Sequence, residues 1–252
     1  MLNYVKGYFK DWTLFEKAWL GIFSLITVGL SIVWGDNIIG FMTGITGIFC
    51  VVLVAKGRIS NYIWGGINVV LYGYLAYTWG LMGEVTLNWG FFLPMNFIGW
   101  YFWLKNKDHT ETDLVITDVL NKRMRITWIF LSILSILMYG LLLKNLHTFS
   151  IADSLGIIEN PTAFFDATST VLSVFAMILM VKRYAEQWTL WIVVNIVSII
   201  MWSIVIATSS DASEIGNAVS MIVMWSAYLV NAVYGQINWF KLYKTQKDRV
   251  EV

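Results

Sequence analysis

Long apolar stretches broken by short polar ones dominate the chain. Uncharged runs occupy 18–35, 37–55, 59–83, 85–104, 126–143, 187–210 and 215–240, and an eighth run, 160–181, is apolar except for Asp166. A helix needs about 20 apolar residues to cross the hydrocarbon core. Backbone groups in lipid must pair within the segment, and the runs lack the strict alternation of barrel strands, so each predicts a transmembrane helix. The first run follows 17 residues, lacks a small-residue cleavage exit and abuts Asp36, so it reads as a retained helix that anchors or packs. The expected fold is an all-α integral membrane protein with about eight crossings.

The polar stretches alternate in charge. Lys6, Lys10 and Lys17 precede the first helix; Lys56 and Arg58 follow the second; Lys105, Lys107, Lys122, Arg123 and Arg125 follow the fourth. Lys182 and Arg183 follow the sixth, and Lys241, Lys244, Lys247 and Arg249 follow the eighth. The other loops carry Asp36, Glu84, Asp153, Glu159, Asp211 and Glu214, with Lys144 the one basic residue at their edge. The positive-inside rule then places both termini in the cytoplasm.

The middle of the chain repeats itself. A basic pair precedes Trp64-Gly-Gly-Ile-Asn68 in one half and Trp191-Ile-Val-Val-Asn195 in the other. In each pair Trp and Asn stand four apart, on one helical face. The next helices carry Trp89 with Asn96 and Trp225 with Asn231, and the halves close at Trp103 to Lys105 and Trp239 to Lys241. This predicts an extra N-terminal helix over 1–36, a three-helix repeat over 37–104, a linker with a connecting helix over 105–145, and a second repeat over 160–245. Three crossings invert the chain and the connecting helix restores its direction, so the repeats run parallel in a 3+1+3 plan.

Composition narrows the function. Of 252 residues, 58% are hydrophobic and only 13% charged, with a mean hydropathy of +0.67 and net charge of +1. That leaves no basic excess for nucleic acid. Cys50 is the single cysteine, and His109 and His147 lie outside the apolar runs, which excludes disulfide frameworks, paired-cysteine metal sites and a bis-histidine haem. No cofactor or metal is expected. P-loop, nucleophile-elbow and zinc-protease motifs are absent. No lysine lies mid-membrane, and no pair of intramembrane acids resembles a proton relay.

Four amides, Asn68, Asn96, Asn195 and Asn231, lie inside apolar helices. An unpartnered amide in hydrocarbon is costly. Each could be interhelical glue; together, in corresponding helices, they suggest a ring around a polar ligand near the midplane. Trp64 and Trp191 lie beside the amides and could stack on a planar ring, a cationic one gaining about 0.5–2 kcal/mol. Trp188 sits near the cytoplasmic boundary, and Trp100, Trp103 and Trp239, next to lysines, read as interfacial belt. Asp166 is read either as a cap about two turns inside a helix begun at Asn160-Pro161 or as a gate residue. Pro94 interrupts its helix two residues before Asn96.

Ile59-Ser-Asn-Tyr62 leading to Gly66-Ile-Asn68, Asn96-Phe-Ile-Gly-Trp-Tyr-Phe-Trp103, Phe165-Asp166, and Glu186-Gln-Trp-Thr-Leu-Trp191-Ile-Val-Val-Asn195 resemble the PnuC family of bacterial nicotinamide riboside transporters. The resemblance spans roughly 37–245, and the family shares the 3+1+3 plan with SWEET-type sugar transporters. It implies facilitated diffusion of nicotinamide riboside through the bacterial inner membrane by alternating access. A cytoplasmic riboside kinase would trap the product, and the assembly would be a homo-oligomer, a trimer. The family's Trp-x-x-x-Asn positions correspond to Trp191 and Asn195, with Trp188 just before them, and the expected substrate site joins these to Trp64, Asn68, Asn96 and Asn231, with Asp166 attracting the cation. Seven crossings are typical, so helix one is an addition. The same amides and aromatics suit a SWEET-like sugar carrier, and a non-transporting receptor or an intramembrane enzyme using Asp166 are further alternatives.

Overall fold

The computed structural model describes residues 11–34, 38–78, 82–109, 113–149 and 162–250. The helices are α1 (Leu14–Trp34), α2 (Ile38–Ala55), α3 (Asn61–Thr78), α4 (Met82–Val85), a π-helical segment (Thr86–Phe92), α5 (Leu93–Lys105), α6 (Lys122–Asn145), a 3₁₀ turn (Leu146–Thr148), α7 (Ala163–Val181), α8 (Gln187–Thr208) and α9 (Ala212–Val250). With α4, the π segment and α5 taken as one continuous element, eight long helical segments among the described residues correspond to the eight apolar runs. Five described helices are long and apolar enough to cross a membrane, starting at Ile38, Lys122, Ala163, Gln187 and Ala218. No strand is assigned among the described residues.

Helix ends depart from the runs for identifiable reasons. Helix α1 begins early because Thr13 and Glu16 form a reciprocal capping box: Thr13 N donates to Glu16 Oε2 at 2.6 Å and Glu16 N to Thr13 Oγ1 at 3.2 Å. Helix α6 takes in Lys122, Arg123 and Arg125 behind an Asn121 cap that accepts from Met124 N at 2.9 Å. Helix α9 continues ten residues beyond Phe240, because Lys, Gln and Arg favour helix as much as Leu does. Apolarity marks where lipid ends, not where the helix ends. At Pro94 the missing N–H cannot reach back four residues. The preceding turn widens to the π register, with Leu93 N bonded to Asn88 O. The helix cap expected at Asn160-Pro161 lies outside the described residues.

The chain forms two compact units, Met1–Val54 with Ser60–Phe97, and Ala55–Ile59 with Ile98–Val252. In the first unit, Trp12 and Trp19 of the α1 region are buried, and Thr27 of α1 sits against Gly44 of α2. The second unit stacks α6 on α7, α7 on α8 and α8 on α9. Phe164 fills the notch at Gly140, and Trp128 meets Phe175 edge-on at 5.2 Å. The other face of α6 exposes Ile129, Phe130, Ile133, Leu137 and Met138, as lipid contact requires.

In the expected linker, the described residues 106–109 and 113–120 are bonded into the second unit. They pair with two turns of one design. Lys56 to Ser60 and Lys182 to Glu186 share the same turn–bridge–turn pattern, and each has a left-handed residue second, Gly57 at φ 69° and Arg183 at φ 67°. Val115 N donates to Gly57 O at 3.0 Å and Ile59 N to Asp113 O at 2.9 Å. At the second turn Asp118 N donates to Arg183 O, and Ala185 N to Asp118 O, each at 2.9 Å. Arg183 Nη1 donates to Ile116 O at 2.9 Å, and Glu186 accepts from Leu120 N and pairs with Arg125 at 2.8 Å. Burial pulls the Arg183 guanidinium below its ordinary value, while Asp118 acts in the opposite direction.

Gln246 of α9 closes this clamp. Its carbonyl accepts from Thr117 N and Thr117 Oγ1, both at 2.9 Å, and its amide donates to Asp108 Oδ2 at 3.1 Å and Val115 O at 2.9 Å. A primary amide has two donors and two acceptor sites, so every bond it can make is made.

Candidate functional site

The first unit holds one set of the expected site residues. Helix α3 places Trp64 and Asn68 one turn apart, both half-buried. The Trp64 ring stacks on Phe49 of α2, with centroids 4.8 Å apart and planes 21° from parallel. One face of the indole is thereby taken. Asn68 Nδ2 donates to Thr43 O at 2.6 Å and Thr46 Oγ1 at 3.3 Å. Both donors are committed to α2, which leaves the oxygen as the amide's remaining hydrogen-bonding atom. Asn96 is buried at 8% exposure, bonds back to Phe92 O at 2.9 Å, and turns its oxygen toward Gly65. Trp89 leaves the π segment with Nε1 3.3 Å from Val70 O and its ring over Gly73, where any Cβ would overlap it.

The second unit holds the other set. Asn195 of α8 is 3% exposed and Asn231 of α9 is 4% exposed, while Trp191 is half-buried. Asn231 is engaged within the protein. Trp188 is 3% exposed; it packs on Gly235 and meets Trp239 edge-on at 6.3 Å. Gln236 Nε2 donates to Thr189 Oγ1 at 2.8 Å, which pins α9 to α8 near this layer. Trp225, with a buried indole N–H that has no partner among the described residues, meets Tyr228 edge-on at 6.0 Å.

Two expectations need correcting. Trp103 and Trp239 are not interfacial belt residues. Both are 0% exposed, their rings lie 5.6 Å apart, and Trp103 Nε1 donates to Met180 O at 2.9 Å. They form the floor of the second unit. Asp166 is not two turns deep. Helix α7 starts at Ala163, so Asp166 lies in its first turn, half-buried, accepting from Thr162 Oγ1 at 3.3 Å. An anion there is favoured by the positive end of the helix dipole.

The repeat also has a finer register than its motifs suggest. The equivalent turns place Gly57 against Arg183 and Asn61 against Gln187, 126 positions apart, whereas Trp64 and Trp191 are 127 apart. On the later helices Trp89 and Trp225, Gly99 and Gly235, and Trp103 and Trp239 are all 136 apart, but Asn96 and Asn231 are 135 apart. Each amide is thus displaced one residue, about 100° of helix rotation, from strict equivalence. The two amide sets therefore present different faces.

Sequence reasoning passed over Gln187 and Ser198, both deeply buried on α8. A signal was present in the spacing: both lie on the Trp191–Asn195 face. Among the described residues no cluster of His, Cys, Asp and Glu could hold a metal.

The family model described as nicotinamide mononucleotide transporter matches residues 37–241. Over 239 residues the chain is 36% identical to the nicotinamide riboside transporter PnuC of Neisseria mucosa, covering 94% of this chain and 84% of that one. It is 32% identical to the Haemophilus influenzae protein of the same name, over 93% of each chain. A crystal structure of the vitamin B3 transporter PnuC superposes with a TM-score of 0.73 at 34% identity, over 96% of this chain and 97% of that one.

Proposed function

The chain belongs to the nicotinamide mononucleotide transporter family with its PnuC relatives, a family of membrane transporters, and from that premise we propose that it carries nicotinamide riboside across the bilayer. The family description names the mononucleotide and the relatives' names the riboside. The two differ by a 5′-phosphate. A transported phosphate calls for Arg or Lys in the site. Neither residue type occurs anywhere in 59–104 or 187–240, which carry both amide sets. That absence of cations is the observation that favours the riboside.

The pyridinium stacks on Trp191 in the second unit and on the free face of Trp64 in the first. Asn195 and Asn231, with Asn68 and Asn96, take the carboxamide and ribose hydroxyls at different stages of the cycle. Trp188 positions α8 against Trp239 and Gly235. Asp166, in the first turn of α7, attracts the cation at the outer end. Transport is facilitated diffusion by alternating access, since no P-loop and no paired intramembrane acids supply energy. Import is drawn inward by a cytoplasmic riboside kinase. The chain sits in the inner membrane as a homotrimer, and its loop charges favour cytoplasmic placement of both termini.

Flux of radiolabelled nicotinamide riboside into sealed proteoliposomes tests this. Label equilibrates with empty vesicles and accumulates when kinase and ATP are trapped inside. Unlabelled mononucleotide competes weakly. Absence of flux from inserted, folded protein, or equal competition by glucose or sucrose, overturns the reading.

A further inference from the structure

Helix α8 carries its polar side chains unevenly. On a wheel of 100° per residue, Gln187, Trp191, Asn195, Ser198 and Trp202 fall within about 80° of arc. They form one stripe from the first residue of α8 past its middle. With 1.5 Å of rise per residue, Trp191, Asn195 and Ser198 stand about 6, 12 and 16 Å beyond Gln187. A hydrocarbon core about 30 Å thick then puts Ser198 near its centre, with Gln187 at the end marked by Lys182 and Arg183.

The two new members of the stripe share an anomaly. Ser198 is 1% exposed and its hydroxyl has no partner among the described residues. Serines in membrane helices ordinarily donate back to their own helix. Ser203, five residues on, does so to Ile199 O at 2.8 Å, as do Ser132 to Trp128 O at 2.8 Å and Ser220 to Gly216 O at 3.2 Å. Gln187 is 0% exposed, and neither its oxygen nor its nitrogen has a partner among the described residues. Its counterpart in the first repeat, Asn61, is equally buried and is engaged within the protein, although its Oδ1 accepts no bond among the described residues. Buried polar groups are nearly always bonded, and exceptions call for an explanation. Of three such residues on α8, Gln187 and Ser198 lie within the stripe and flank Trp191 and Asn195, with Trp188 Nε1 beside it, and they call for a common explanation.

We propose that Gln187 and Ser198 are substrate-contacting residues that extend the Trp191–Asn195 pair into a line of polar stations along α8. Ser198 supplies a hydroxyl for a ribose oxygen beyond Asn195. Gln187 presents a donor and an acceptor side by side, the complement of a carboxamide or a vicinal diol, at the end from which the substrate leaves. The line lets a polar nucleoside exchange one hydrogen bond for the next as it moves along the helix. This inference rests on the riboside reading of the same site.

The test measures nicotinamide riboside affinity by calorimetry in detergent, flux KM and maximal rate in proteoliposomes, and melting temperature without substrate. It compares the parent with Ser198→Ala, Ser198→Thr, Gln187→Met and Gln187→Asn. Ser198→Ala and Gln187→Met are expected to weaken binding about tenfold and to raise KM. Their substrate-free melting temperatures stay level or rise, because an unsatisfied polar group has been removed. Ser198→Thr, which keeps the hydroxyl, recovers most of the affinity. Gln187→Asn keeps the amide one methylene short and reads the same contact if Gln187→Met does not insert. Parent-like affinity in Ser198→Ala and Gln187→Met, or lowered melting with affinity intact, overturns the inference while the riboside reading stands. A parent that does not bind nicotinamide riboside overturns both.

Discussion

The two turns that open the repeats reach one backbone shape by different chemical routes. At the first turn the left-handed position is Gly57, for which positive φ carries no steric penalty. At the second it is Arg183, for which the same angle costs about 1–2 kcal/mol. Arg183 has a compensation that Gly57 cannot have, the bond from its guanidinium to Ile116 O. The helices that follow differ in the same sense. Asn68 spends both donors on α2, while Asn195 is sunk to 3% exposure on a face shared with two unpartnered polar side chains. At these helix faces Asn68 is tied to α2, while Gln187 and Ser198 beside Asn195 keep bonding capacity open among the described residues.

That contrast is broken most sharply at the amides. Asn195→Ala is expected to cut riboside flux about a hundredfold or more, equivalent to about 2.7 kcal/mol. Asn68→Ala, whose amide offers only its oxygen to a ligand, reduces flux about tenfold and also lowers the melting temperature. Equal effects of both on flux would erase the distinction between the repeats. Next in size is Gln246→Ala. It strands four bonding partners, so a loss of about 2–4 kcal/mol follows, read as a fall in melting temperature with substrate affinity retained. Gly57→Ala places a Cβ in a left-handed residue 3.3 Å from Leu242 Cδ1 and destabilises by about 1–2 kcal/mol in the same assay. Arg183→Gly relieves strain and loses one hydrogen bond, and is expected within about 1 kcal/mol of the parent. A large loss there would mean that the side chain, not the turn, holds the clamp.

The sequence shows some of this and hides the rest for physical reasons. Each apolar run is a helix because lipid leaves the backbone no other way to pair. Trp103 and Trp239 were misread because an indole next to a lysine looks the same whether it faces lipid or a neighbouring ring. The amides were legible by type. Their one-residue displacement was not, since it emerges only when the turns and the Gly99–Trp103 and Gly235–Trp239 registers are laid against each other. The clamp left almost no signal. Its links are single bridges without periodicity, and Gln246 meets Thr117 across 129 positions of chain. Gln187 and Ser198 share a face with the motif, yet their lack of partners is visible only in three dimensions.

That last separation bears on how the protein is made. Thr117 leaves the ribosome 129 residues ahead of Gln246. At about 5–20 residues per second the gap lasts roughly ten seconds. Throughout that interval four helices wait in the membrane with Thr117 and Asp108 still lacking the amide that will join them. The clamp closes only once α9 has been made through Gln246. A nascent chain stalled before Gln246 therefore lacks the four bonds by which that side chain ties Thr117, Asp108 and Val115 to α9.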